Sequence, residues 1–242
     1  MAQSLISASG EILMHRHKTK PTYVERTLFG DGTGDSIRNV VTTELGNIGA
    51  LLCWEHLQPL LKYHTYSQNE QIHIASWPLC PKFDGWNHWS LSTEACTTAS
   101  RAYAMESGAF TVVATQCRAK DLVDESGAPA IPSGGGFSAI YGPDGRKLTK
   151  DVPEDWEGIL YATCDFKDIQ FAKWLFDPVG HYSRPDLLRL QADTQRKESV
   201  IRPDASKRHD SMIYKFRETE LTEGKFGAGA DTTPDVTAGA KQ

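Results

Sequence analysis

The sequence has little of what binds nucleic acid, crosses a membrane or staples a small secreted fold. Its 242 residues carry 26 Lys and Arg against 31 Asp and Glu, a formal charge of −5, and at a pI near 5.9 there is no basic stripe to follow a phosphate backbone. The most prominent apolar runs, Ile48–Trp54 and Phe110–Ala114, fall far short of the roughly 20 residues that span a bilayer. Five cysteines, at 53, 80, 96, 117 and 164, are odd in number and widely spaced, which argues against a disulfide framework and for a reducing, cytoplasmic setting. The opening residues Met1–Ile6 lack the charged and apolar regions of a secretory leader. His73 and His88 belong to no His-Glu-x-x-His or Cys-x-x-Cys pattern and read as packed or capping residues. The His15-x-His17 pair has no further ligand nearby, so neither metal nor cofactor is expected. The Gly-rich stretch Phe29–Asp35 has no glycine where a dinucleotide fingerprint needs its last one and no Lys-Ser/Thr pair after it, so it reads as a structural turn.

What is present centres on residues 45–56. Ile48–Leu52 reads as a short buried strand ending at Cys53, and Glu55–Tyr66 as a helix with Pro59 tolerated in its first turn. Cys53 then lies at a strand-to-helix corner, where the positive end of the helix dipole would favour thiolate over thiol. A cysteine in such a run is more often a small buried hydrophobe, but the corner is where a nucleophile would stand.

The remaining chain alternates strand and helix signals. Leu5–Ser7 and Glu11–His15 form a plausible hairpin about Ser7–Gly10; His15, Arg16 and His17 read as solvated charges at a strand end. Val40–Glu44 and Ile48–Cys53 flank a turn at Leu45-Gly46-Asn47. Ile72–Trp77 is a strand closed by Pro78, Pro81–His88 a loop, and Ser90–Ser107 a helix capped by Ser90 or Ser92 and ended by Gly108. Phe110–Thr115, Gly134–Tyr141 and Gly158–Asp165 read as strands, with a tight turn at Gly142–Leu148 leading into one more. The pattern is α/β. Residues 1–190 are expected to form one domain and 191–242 a polar tail, partly disordered or used in assembly.

Six stretches, in this order, resemble the nitrilase branch of the carbon–nitrogen hydrolase superfamily: Arg16–Thr22, Glu25-Arg26, Gly30-Asp31-Gly32, Cys53-Trp54-Glu55-His56, Ala75-Ser76-Trp77-Pro78 and Gly180–Asp186. The resemblance implies a four-layer α-β-β-α sandwich and a glutamate–lysine–cysteine catalytic set. By the matching motifs Cys53 is the nucleophile, Lys18 the catalytic lysine and Glu25 a supporting glutamate, with Trp54 and Trp77 at the oxyanion and substrate. The chemistry agrees, because a nitrile carbon is a poor electrophile whose nitrogen gains negative charge when attacked. In an extended segment Lys20 shares the face of Lys18, so the residues alone do not separate the two; the motif picks Lys18. Glu55 is a nominal base for Cys53, but its place in a first helical turn favours a dipole interaction.

The resemblance further implies a small nitrile or cyanide as substrate, an acid or an amide as product, and homodimers that extend into spirals. The family's first catalytic glutamate lies well upstream of the lysine, whereas only Glu11 precedes Lys18 here. The expectation is an N-terminally truncated domain that does not turn over nitriles by itself. The competing reading is an inactive fragment that assembles with, or regulates, full-length subunits. An amidase of the same superfamily is the third.

Overall fold

The structure is a computed structural model that describes residues 1–85, 88–118, 134–197 and 200. Met1–Lys197 form one compact unit. The expectations for Trp86 and Asn87, and for the tail beyond 197 apart from Val200, lie outside the described residues.

The chain opens on an antiparallel hairpin, β1 (Ala2–Ile6) and β2 (Ile12–His17). Its turn is closed by Gly10, at φ +86°, where a side chain would be strained. In β2 the pleat sends Met14 and Arg16 inward, and Lys18 follows in the same alternation just past the strand. This overturns the expectation that Arg16 is a solvated charge: it is 1% exposed.

The main sheet has five strands in the order β3 (Val40–Thr43), β4 (Gly46–Leu52), β5 (Ile72–Trp77), β6 (Phe110–Thr115) and β7 (Ala139–Tyr141). The outer pairs are antiparallel; β4, β5 and β6 run parallel, joined through α1 (Pro59–Tyr66) and α2 (Thr93–Ser107). The third helix is α3 (Phe166–Leu175). Gln3 Nε2 donates to the Leu51 carbonyl and to Ser76 Oγ, each at 3.1 Å, which ties the hairpin to the ends of β4 and β5. One core cluster joins Ala75, Trp77, Cys80, Cys96, Val113 and Tyr141, with Cys53 and Phe137 packed on it. A second joins Leu51, Leu61, Tyr66 and Tyr103. A fully buried leucine such as Leu51 contributes about 1.5–3 kcal/mol.

Ser92 is the N-cap of α2, accepting from the Ala95 amide at 3.2 Å, and Gly108 ends the helix at φ +60°, as the sequence suggests. Three expectations need correction. The helix over Glu55–Tyr66 is two pieces, a 3-10 turn Cys53–Leu57 and then α1. Pro59 forces the split: its ring drives Gln58 to φ −100°, ψ 99°, and Pro59 becomes the first residue of α1. The strand over Gly134–Tyr141 shrinks to Ala139–Tyr141, because Gly134 and Gly135 take φ of +93° and +79° and leave, among the described residues, a single bridge from Gly134 to Arg118. Gly158–Asp165 alternates in exposure, but no ladder forms on it among the described residues, and Ile159 and Tyr161 face solvent. Period-two patterning makes a strand only where an edge is available to pair with it.

Candidate active site

Cys53 occupies the first position after β4, at φ +50°. That left-handed conformation costs a non-glycine residue roughly 1–2 kcal/mol, so its surroundings must hold it there. Behind the corner, Glu55 supplies one restraint. Its carboxylate receives both arms of Arg16, Nη1 to Oε2 at 2.8 Å and Nη2 to Oε1 at 2.7 Å. It also accepts from the amides of Thr19 (2.8 Å) and Leu52 (2.9 Å) and from Thr19 Oγ1 (2.8 Å). Arg16 completes its donors on the Ser36 carbonyl and Gln3 Oε1. Burial opposes the Glu55 charge, but the Arg16 hydrogen bonds and charge, with the two amides, outweigh it and hold the carboxyl below its usual range. Glu55 is therefore neither a base for Cys53 nor a dipole partner at a helix start. It is the anchor that fastens the β2 segment to the cysteine corner.

That clamp sets the spacing of the reactive groups. Arg16 stands two residues before Lys18, and Glu55 two residues after Cys53, so one bidentate ion pair fixes the segment carrying the lysine against the turn carrying the thiol. Lys18 is 2% exposed; its Nζ donates to Glu25 Oε2 at 2.6 Å and to Thr22 Oγ1 at 3.0 Å. Glu25, on a 3-10 turn (Tyr23–Thr27), also accepts from the Thr22 amide at 2.5 Å. Lys20 goes elsewhere: β2 has ended, and its ammonium pairs with Asp31 at the surface. The structure thus separates two lysines that the residues alone did not.

Burial pushes the Cys53 thiol above its ordinary pKa; the Lys18 charge and the Trp54 backbone N–H pull it down by less, and Glu25 and Cys80 push it further up. The expected dipole-stabilised thiolate is corrected accordingly, since a five-residue 3-10 turn aligns too few peptides to offset desolvation. The same interactions put Lys18, Glu25 and the Trp54 amide in electrostatic reach of the sulfur. Trp77 lies in the cluster on which Cys53 packs, stacked on His56 at 5.0 Å, and its buried Nε1 has no hydrogen-bond partner among the described residues. His73, read as a packed residue, is fully buried; His88 is exposed, at the N-cap of a short 3-10 turn (Trp89–Leu91). Among the described residues no group of three or more His, Cys, Asp or Glu is arranged to hold a metal. A cavity of about 730 Å³ lined by Lys82, Arg101, Phe137 and Glu154 is not lined by Cys53 or Lys18.

Sequence reasoning missed the Arg16–Glu55 clamp, although its signal was present in the inward register shared by Met14, Arg16 and Lys18. It also missed the buried chain of His56, His73, Glu70 and Tyr103 behind the corner.

A half-buried thiol just past a strand end and a lysine–glutamate pair in its electrostatic field stand on a mixed α/β framework. The carbon–nitrogen hydrolase family model matches residues 1–173, and the chain belongs to that family. Within it the chain falls in the nitrilase branch. It is 48% identical over 205 residues to an arylacetonitrilase of Aspergillus niger, covering 83% of this chain and 62% of that protein. An arylacetonitrilase of Fusarium vanettenii is 43% identical over 93% of this chain and 68% of its own length, and a nitrilase of Talaromyces marneffei 47% identical over 78% and 62%. The chain thus spans about three fifths of the length of most of these relatives. The fold is that of a carbon–nitrogen hydrolase from Helicobacter pylori, at TM-score 0.61 and 22% identity over 76% of this chain and 62% of that one. It is also that of the Caenorhabditis elegans NitFhit protein, at TM-score 0.59 and 19% identity over 82% and 45%.

Proposed function

We propose that this chain carries the thiol chemistry of nitrile hydrolysis, with an arylacetonitrile as substrate. The observation that carries the reading is the Lys18–Glu25 pair held in the field of Cys53 by the Arg16–Glu55 clamp. Cys53 Sγ attacks the nitrile carbon, and the nitrogen, gaining negative charge, takes its proton from the Lys18 side. Water adds to the resulting thioimidate, ammonia leaves, and a second water releases the acid from the thioester. Expulsion of sulfur with the amine retained gives an amide instead. Glu25 is a carboxylate in reach to move these protons. The Trp54 amide and Trp77 Nε1, which has no partner among the described residues, supply donors where charge develops; a buried indole N–H in that state calls for an explanation, and a substrate atom would provide one.

The names of the relatives support the aromatic substrate, and so do the rings of Trp77 and Phe137, 6.2 Å apart at the core cluster on which Cys53 also packs. Exposed Phe171, Trp174 and Leu175 on α3 support a homo-oligomer, and five free cysteines suit a reducing cytoplasm. Incubation with phenylacetonitrile followed by intact-mass and peptide mapping tests the reading. A covalent adduct on Cys53 that is lost in Cys53→Ser is the expected result. No adduct, or one on Cys117 or Cys164, overturns it in favour of a non-catalytic assembly module.

A further inference from the structure

Behind Cys53 runs a line of buried polar side chains that the chemistry above does not use. His56 Nδ1 lies 2.8 Å from the Cys53 carbonyl oxygen, and His56 Nε2 lies 3.0 Å from His73 Nε2. His73 Nδ1 is 2.7 Å from Glu70 Oε2, and the Tyr103 hydroxyl donates to Glu70 Oε1. All four side chains are at most 1% exposed, so water does not satisfy them and each contact must be a real donor–acceptor pair.

The directions can be worked out from one end. A carbonyl oxygen only accepts, so His56 Nδ1 carries a hydrogen and donates to Cys53. Burial, and next the facing His73, hold His56 neutral, with the Arg16 and Lys62 charges acting in the same sense, so its Nε2 is an acceptor. His73 Nε2 must then be the donor between the two rings. At its other nitrogen, His73 meets Glu70 either as imidazolium on carboxylate or as neutral ring accepting from a carboxylic acid. Both arrangements keep the hydrogen on His73 Nε2. The tautomer at His56 is therefore fixed wherever that one shared proton resides.

We propose that this relay is a positioning device for the nucleophile: Glu70 and Tyr103 set His73, His73 sets the tautomer of His56, and His56 holds the Cys53 carbonyl so that Cys53 keeps its left-handed backbone. The proposal rests on Cys53 being the nucleophile. A backbone at φ +50° is rare for a side chain-bearing residue and relaxes unless tied. Trp77 stacked on His56 and Tyr103 against its edge at 5.4 Å keep the ring from rotating away. Gly49 makes room for the relay, since a Cβ there would collide with Glu70 Oε2.

The test compares His56→Phe, which keeps a ring but no N–H, with His56→Asn, whose amide can donate near the position of Nδ1, and Glu70→Leu with Glu70→Gln, which can still donate to His73 and accept from Tyr103. The readouts are alkylation of Cys53 by iodoacetamide, the thermal midpoint, and the ¹⁵N shifts of His56. His56→Phe and Glu70→Leu are expected to slow alkylation by about tenfold or more, the scale of a buried hydrogen bond lost. Asn and Gln should recover most of that loss at a comparable midpoint, and His56 should show an Nδ1–H, Nε2-acceptor pattern. Alkylation that follows only the midpoint in all four variants, or an Nε2–H tautomer, overturns the proposal. If phenylacetonitrile leaves no adduct on wild-type Cys53, the nucleophile reading fails, and the His56 tautomer still decides the relay on its own.

Discussion

Replacing Glu55 by Ala should be among the most damaging single changes in this chain, and its size can be worked from the contacts. The substitution leaves the Arg16 guanidinium buried without its counter-charge and strips an acceptor from the Thr19 and Leu52 amides. Breaking a buried pair from one side costs about 3–5 kcal/mol, against a typical total stability of about 5–15 kcal/mol. Removing both partners with apolar residues of similar size, Arg16→Met with Glu55→Leu, should recover most of the loss, because the desolvation of two charges is no longer required. It should not recover Cys53 alkylation, because the clamp between the lysine segment and the thiol turn is gone. Since the Glu55 pKa is lower in the folded than in the unfolded chain, its contribution is fully present above the unfolded value and is lost as pH falls through the folded value. The gap between wild type and Glu55→Ala should therefore close in acid. Urea unfolding followed by circular dichroism from neutral pH to pH 3 measures all of this. A loss under about 1 kcal/mol at neutral pH, or a gap that widens in acid, would refute the clamp.

Two further perturbations probe the same neighbourhood. Lys18→Ala removes the largest influence that lowers the Cys53 pKa, so the pH–rate profile for iodoacetamide should move to higher pH; an unchanged profile would place Lys18 outside the site. Gly49→Ala drives a Cβ into Glu70 Oε2 and to 3.2 Å from Val40 Cγ2. It should cost about 1–3 kcal/mol and slow Cys53 alkylation as well, readable by urea unfolding and peptide mapping in one preparation.

How much of this was legible in the sequence depends on whether a feature is local. The strand limits of Ile72–Trp77 and Phe110–Thr115 were readable because a β-branched, apolar run bounded by turn residues has one way to be buried. The α2 caps were readable, to a choice between Ser90 and Ser92 at the start and to Gly108 at the end, because a cap acts on its own neighbours. The clamp was not, because the inward register of Arg16 does not say which carboxylate, here one 39 residues on, awaits it. The same holds for His73, whose isolated imidazole looked like a packed residue and is one, yet whose value lies in an order of donors that only the assembled core reveals. Gly158–Asp165 failed for the converse reason: its alternation was right, but pairing is a property of two strands, not one.

The state of the thiol proton remains the step on which the chemistry turns. A Cys53 pushed above its ordinary pKa rests as a thiol near neutrality, so the proton must leave as the carbon is attacked, and Glu25 has two separable effects on that step. As a negative charge it raises the thiol pKa; as a carboxylate it can take the proton. Glu25→Gln removes both, with opposite signs in two assays. The alkylation profile should move to lower pH, because the Lys18 charge is no longer offset and Thr22 Oγ1 still holds its ammonium. Nitrile-dependent ammonia release, where it is measured, should fall by about 10²–10⁴-fold if Glu25 is the base. A profile that instead moves to higher pH would mean that Lys18 loses its charge without Glu25, making the carboxylate a partner of the lysine alone and sending the search for a base elsewhere.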